Sequence, residues 1–277
     1  MALQSTLMLK NLIYRLLGRR NTKKLFYRLR PNRKPHFSEA EIIADFFFDF
    51  LKPTHPCTMI DVGVHFGESC IEYAAAGWQV LGFEPDPNNR AKIPSIKGLQ
   101  LFTLAVSDKD DRIVNFYTSR VSSGISSLSA FHASHLPATQ VKTVTLRTVL
   151  KQEKITKVDF LKIDIEGHDL FALKGFPFET CQPTVILCEF EDYKTVPNGY
   201  TYTTLGDFLC DKGYQVYLSE WKPIVQYGIQ HEWDSIRPYP SRLQNAQGWG
   251  NFIAVLPDYQ PTFEQALQRY MHFIKQY

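Results

Sequence analysis

Met59-Ile60-Asp61-Val62-Gly63-Val64-His65-Phe66-Gly67 runs from an apolar stretch into an acid and a glycine, with a second glycine four residues on. The spacing predicts a short buried strand over 58–62 and a helix opening near Gly67 and running to about Ala76. A glycine at a strand end lets the chain turn through positive φ and bring its backbone close to a ligand, while the first amides of the next helix point at it. Gly63 and Gly67 do not complete the Gly-x-Gly-x-x-Gly pattern that dinucleotide pyrophosphates favour. A plain turn with no ligand also fits this run taken alone.

The next strand, Gln79 to Phe83, ends in Glu84-Pro85-Asp86. Glu84 lies 21 residues beyond Gly63, where an acid can accept both ribose hydroxyls of an adenosine held over the glycine turn. Asp108 follows the third strand, Leu101 to Val106, and either takes an adenine amino group or begins a turn with Lys109, Asp110 and Asp111. Farther on, Phe160-Leu161-Lys162-Ile163-Asp164-Ile165-Glu166-Gly167-His168 is an apolar strand ending in a cluster of charge. Charged groups at a buried strand end are costly unless paired or in use.

Strands and helices alternate through the rest of the chain. Strands are read over 112–117, 141–146, 158–163, 184–190, 214–219 and 252–256, and helices over 167–174, 204–212 and 262–275. That order implies an α/β fold with a mostly parallel sheet covered on both faces, and a ligand site beyond the carboxyl ends of its strands. Ser38 with Glu41 forms a capping-box pattern that opens a helix through Phe50. Residues 38–277 read as one domain and residues 1–37 as a leader.

The leader is set apart by its charge. It carries ten lysines and arginines and no acid, which leaves 21 basic against 28 acidic residues for the remainder. An acidic body argues against a nucleic-acid groove. The leader has an amphipathic helical pattern, with Leu3, Leu7, Leu9, Ile13, Leu16 and Leu17 and later Leu25, Phe26 and Leu29 on its apolar side. Such a segment either packs as an arm on the domain or meets an anionic membrane or acidic partner through residues 1–34. Lys10, Asn11 and Arg15 interrupt the apolar run and no small-residue cleavage site follows, so no secretory signal is read. Five cysteines without a close pair suggest reduced thiols and a cytoplasmic protein.

In order, Asp61-Val62-Gly63, Phe83-Glu84-Pro85-Asp86, Ala105-Val106-Ser107, the Ser-rich run Ser122 to Leu128, Thr145-Leu146 and Leu161 to Gly167 resemble the FkbM family of methyltransferases. The match spans roughly residues 57–191, with a looser tail to Leu256. It departs at His65, where the family often has Asn, and at Val64, where it often has Ala. The leader is not covered. The resemblance implies a Rossmann-like, seven-stranded methyltransferase fold with an antiparallel last strand, binding S-adenosylmethionine. With the residue reading, it puts the cofactor against Asp61, Gly63, His65, Gly67, Glu84, Asp86, Ala105, Asp108 and Asp164.

Methyl transfer to a hydroxyl is helped by a base that takes the proton. His168, beside the strand that ends near the expected methyl, is the favoured base, with Asp164 as base or as the group orienting the histidine. Ser122, Ser126, Ser127, Glu166 and Glu189 are expected to face a polar acceptor such as a sugar, glycan, glycolipid or natural product. His65, His132 and His135 lie in segments that could also reach it. Asp164, Glu166 and Glu189 could hold Mg²⁺, but the reading taken here uses no metal. Aromatics in 193–202 and 221–249 could stack on a sugar ring. Two other classes stay open: an NAD-dependent oxidoreductase, and a non-catalytic binding protein with a vestigial cofactor pocket.

Overall fold

In the computed structural model of the protein, residues 19–29, 34–227 and 229–276 are described. Among the described residues there are eleven strands: β1 Thr58–Val62, β2 Gln79–Phe83, β3 Leu99–Phe102, β4 Ala105–Val106, β5 Ile113–Ser119, β6 His135–Val144, β7 Phe160–Ile163, β8 Val185–Glu191, β9 Gln215–Trp221, β10 Trp233–Pro238 and β11 Trp249–Val255. The main sheet runs β10-β9-β11-β8-β7-β1-β2-β3. β1 pairs in parallel with both β2 and β7, and β7 with β8, while β11 is antiparallel to β8 and β9. The expected seven strands with their reversed last member are therefore present as a Rossmann-like sheet. β10 adds an eighth at the edge, pairing antiparallel with β9.

Alternate side chains of each strand go to opposite faces, and both faces are buried, which is why these strands read as unbroken apolar runs. Ile60, Leu81, Leu161, Ile186 and Leu218 join one core with the helices Leu146–Gln152, Asp169–Lys174 and Tyr202–Asp211. Met59, Val80, Phe160, Val185 and Tyr217 join the other with residues 39–51 and the long helix Gln260–Gln276. Ser38 caps the helix Glu39–Asp45 by accepting from the Glu41 amide at 3.3 Å, and the chain continues as a wider π-helical turn, Phe46–Leu51.

Two expectations need correction. The single strand expected over Leu101 to Val106 is two: β3 pairs with β2, whereas β4 pairs with β6 in a separate three-stranded sheet, β4-β6-β5. The helix expected from Gly67 begins at Ile71. The small sheet carries the Ser-rich segment between β5 and β6.

Of the leader, residues 19–29 form a helix, Arg19–Leu29, that lies on the domain. Its Arg19 is buried, bonded to Asp45 at 3.2 Å and to Glu72, and Tyr27 meets Phe273. The readings placed on residues 1–18 and 30–33 lie outside the described residues. No described helix is long and apolar enough to cross a membrane. All five cysteines are free.

Candidate active site

β1 and β7 are neighbours from which the chain proceeds to opposite sides of the sheet, so a crevice opens beyond their carboxyl ends. Gly63 turns there with φ +87°, and a Cβ on it would sit 2.0 Å from the Asp164 carbonyl oxygen. Only glycine allows the two strand ends to come this close. The crevice is a cavity of about 510 Å³ whose lining includes Gly63, Glu84, Ala105 and Phe116 together with Asp164, Glu166, Glu189 and Trp249.

Glu84 is buried, its Oε2 accepting from the His65 amide at 2.8 Å and its Oε1 from the Asp86 amide at 2.9 Å. Burial raises its pKa, and the two amides and the Asn89 side chain pull it back. The Asn89 side chain also bonds the carboxylate, which is oriented but keeps capacity to accept from a ribose hydroxyl. Asp86 does not line the cavity. It caps the short helix Pro87–Arg90 by accepting from the Asn88 amide, and so holds the turn that aims Glu84.

Asp61 is likewise fully buried and outside the lining. It accepts from Ser69 Oγ and pairs with Lys162 at 3.3 Å, and Lys162 Nζ also reaches Gly63 O at 3.2 Å and Asp164 at 3.5 Å. Burial opposes the charge of Lys162, but the two aspartates outweigh it and raise its pKa. Lys162 thus ties the Gly63 turn to Asp164, whose side chain is 43% exposed. Gly67 does not line the cavity either; a Cβ there would meet the Ile71 side chain at 2.7 Å.

The serine loop closes one side. His65, at φ +53°, lines the cavity and its Nε2 lies 2.9 Å from Ser123 Oγ. Ser123, Ser126 and Ser127 also line it. Ser127 Oγ donates to Glu166 O at 3.1 Å and accepts from the Ser129 amide at 3.2 Å, and Ser126 Oγ donates to Ser123 O at 3.0 Å. Ser122 is outside the lining and accepts from the Gly124 amide.

The structure does not bring His168 or Asp108 to the cavity wall. His168 Nε2 lies 3.1 Å from Ser107 Oγ, its ring stacks on Phe171 at 4.5 Å, and burial lowers its pKa to about 4. Asp108 accepts from the same Ser107 hydroxyl at 3.2 Å. The two form a small cluster with Ser107. Of the other histidines, His135 is buried against Ile125 O at 2.8 Å, and His132 meets Tyr227 edge to face.

The acidic cluster contains a partner the sequence reading missed. Lys194, 1% exposed, pairs with Glu166 at 2.5 Å, Glu189 at 3.2 Å and Glu191 at 2.8 Å. Burial works against its charge and the three carboxylates overcome it, so its pKa is raised. The signal lay in Glu189 and Glu191, two apart and therefore on one face of β8, with a lysine three residues on. Glu166 sits at φ +59°, and burial lifts its pKa to about 7. Burial likewise raises the pKa of the fully buried Asp169 carboxyl to about 7. Tyr200 OH and Asn198 Nδ2 both donate to Gly167 O and brace this turn. Oxygens of Asp164, Glu166 and Glu189 lie within 4.8 Å of one another, a spacing that one cation can span.

The sequence model of the methyltransferase FkbM domain matches residues 61–216, more than half of the chain. Among curated proteins none matches. Solved structures similar to the chain include a precorrin-6y C5,15-methyltransferase from Geobacter metallireducens, at 13% identity over 80% of this chain and 92% of that one, TM-score 0.37. An rRNA methylase from Streptococcus thermophilus is 8% identical over 78% and 93%, TM-score 0.38. A Streptococcus mutans protein in complex with SAH is 10% identical over 80% and 100%, TM-score 0.41. The sequence match decides the assignment: the chain belongs to the FkbM methyltransferase family, and S-adenosylmethionine is its cofactor.

Proposed function

We propose that the protein transfers the methyl group of S-adenosylmethionine to a hydroxyl oxygen of a small polar acceptor, a sugar, glycan, or glycosylated lipid or natural product. The observation that carries this reading is one cavity whose lining combines two chemically different sets of residues. Gly63, Glu84 and Ala105 suit an adenosine, and Asp164, Glu166, Glu189 and the serine loop suit a hydroxylated acceptor. Three carboxylates and several serine oxygens are acceptors in excess of donors, which matches a ligand rich in O–H groups.

The cofactor supplies an activated methyl bound to a sulfonium. The protein's task is to hold the acceptor oxygen in line with it, and alignment alone can contribute several kcal/mol. Asp164, in the cavity and beside the Gly63 turn, is assigned as the group that takes the hydroxyl proton. His168, outside the lining, is assigned a supporting role through Ser107. Glu166 and Glu189 are assigned to orient neighbouring hydroxyls, fixed from behind by Lys194. The nicotinamide alternative falls with the family assignment. A vestigial pocket would bind nothing, so binding and turnover are tested together. The protein is incubated with methyl-labelled S-adenosylmethionine and a panel of glycosides, and the products are mapped by mass spectrometry. Label on oxygen supports the proposal; label only on nitrogen or carbon, or no transfer to any hydroxylated acceptor, contradicts it.

A further inference from the structure

A second cavity, of about 650 Å³, lies beside the first. Three stretches of chain contribute adjacent residues to both. Val121 lines the second and Ser123 the first, Glu191 the second and Glu189 the first, Gly248 the second and Trp249 the first. Lys194 pairs with Glu166 and Glu189 of the first lining and Glu191 of the second. The serine loop is fastened to the far wall by Tyr193 OH donating to Phe131 O at 3.1 Å and Ser129 Oγ to Asn198 at 2.9 Å.

The two cavities differ in their outer surfaces. The first is walled by carboxylates and hydroxyls. The second has Glu191, Asp192 and His132 in its lining as well, but it also carries Val225, 92% exposed, Tyr193, 63%, and Val121, 55%. Val196 and Ile229, also exposed, lie in the same segments of chain. Large apolar side chains left open to solvent and gathered at one mouth mark a surface that is covered in use. Here the mouth is continuous with the place where a hydroxyl is to be methylated.

We infer that the second cavity is an outer acceptor subsite, and that the acceptor is an amphiphile whose hydroxyl-bearing head enters the first cavity while an apolar body lies along Val121, Tyr193 and Val225. The inference rests on the methyltransferase reading of the first cavity and names the acceptor class that this reading leaves open. A purely polar saccharide would leave that apolar rim exposed to water in the complex. A body of a few methylenes would cover it, and each methylene removed from water adds to affinity.

The test is calorimetric titration of the protein, saturated with S-adenosylhomocysteine, with methyl glucoside and with hexyl glucoside below its micelle concentration. The hexyl compound should bind at least about tenfold more tightly. Val225→Asp combined with Tyr193→Ser should abolish that gain and leave S-adenosylhomocysteine affinity unchanged. Equal affinities for the two glucosides, or no binding of the hexyl compound, with S-adenosylhomocysteine bound normally, overturn the subsite and spare the methyltransferase reading. A chain-length gain that survives the double substitution places the apolar body elsewhere and also overturns it. Failure of the protein to bind S-adenosylhomocysteine removes the reading on which the subsite stands.

Discussion

The Asp164 carbonyl oxygen occupies the space a side chain on Gly63 would need, 2.0 Å from an ideal Cβ. The end of β1 and the end of β7 therefore define each other's position. Gly63→Ala would have to force them apart and would also hold an alanine at φ +87°. The expected outcome is destabilisation of roughly 2–4 kcal/mol, read by urea denaturation, and loss of S-adenosylhomocysteine binding by calorimetry. Wild-type binding in the variant would show that the crevice tolerates the separation.

Asp164 and His168 are four residues apart but differ in access to the cavity. Asp164→Asn should lower turnover about 10²–10⁴-fold with little effect on cofactor affinity, the range for removing a general base. His168→Ala should cost far less, because neither His168 nor the Ser107 hydroxyl it bonds lines the cavity. Steady-state kinetics of the two variants check this, and the reverse ranking would return the base role to the histidine.

Lys194 is the shared cationic partner of Glu166, Glu189 and Glu191 in a space with almost no solvent. Lys194→Met leaves those carboxylates facing one another, and removing one partner of a buried ion pair costs about 3–5 kcal/mol. The deficit should shrink at pH 5, where the carboxylates can take up protons. Denaturant unfolding at pH 8 and pH 5 measures it; equal deficits at both would mean the loss is one of packing alone.

Asp169 adds a pH dependence of definite sign. Burial first, and then Asp164 and Glu166, raise its pKa to about 7, so the folded protein holds a proton that the unfolded chain releases near the ordinary aspartate value. This contribution is fully present below that unfolded value and is lost as pH rises through about 7. Asp169→Asn should flatten this part of the profile and stabilise the protein at pH 8. Melting temperatures of both proteins from pH 5 to pH 8 give the comparison, and parallel curves would deny Asp169 the role.

The central strands were legible because a sheet buried on both faces writes unbroken apolar runs, as in Met59 to Val62 and Phe160 to Ile163. Gly63 and Glu84 were legible because turn chemistry and strand ends are local. β10 was not, since Trp233-Asp234-Ser235-Ile236-Arg237-Pro238 is a half-exposed edge without such a run. The break between β3 and β4 depends on pairing with β6, about 40 residues away, which no local pattern records. The placement of His168 was hidden for a different reason. Glu166 and Gly167 both take positive φ, so strand alternation ends there and cannot indicate where the next side chain goes. Lys194 pairs with Glu166 across 28 residues, and only its link to β8 was local.

The most direct test of the account is the dissociation constant of S-adenosylhomocysteine for the Glu84→Ala protein against the wild type. Removing a carboxylate that accepts ribose hydroxyls should weaken binding by roughly 1–3 kcal/mol, about five- to 150-fold. An unchanged constant would mean that the nucleoside does not lie between Gly63 and Glu84, and would contradict the account.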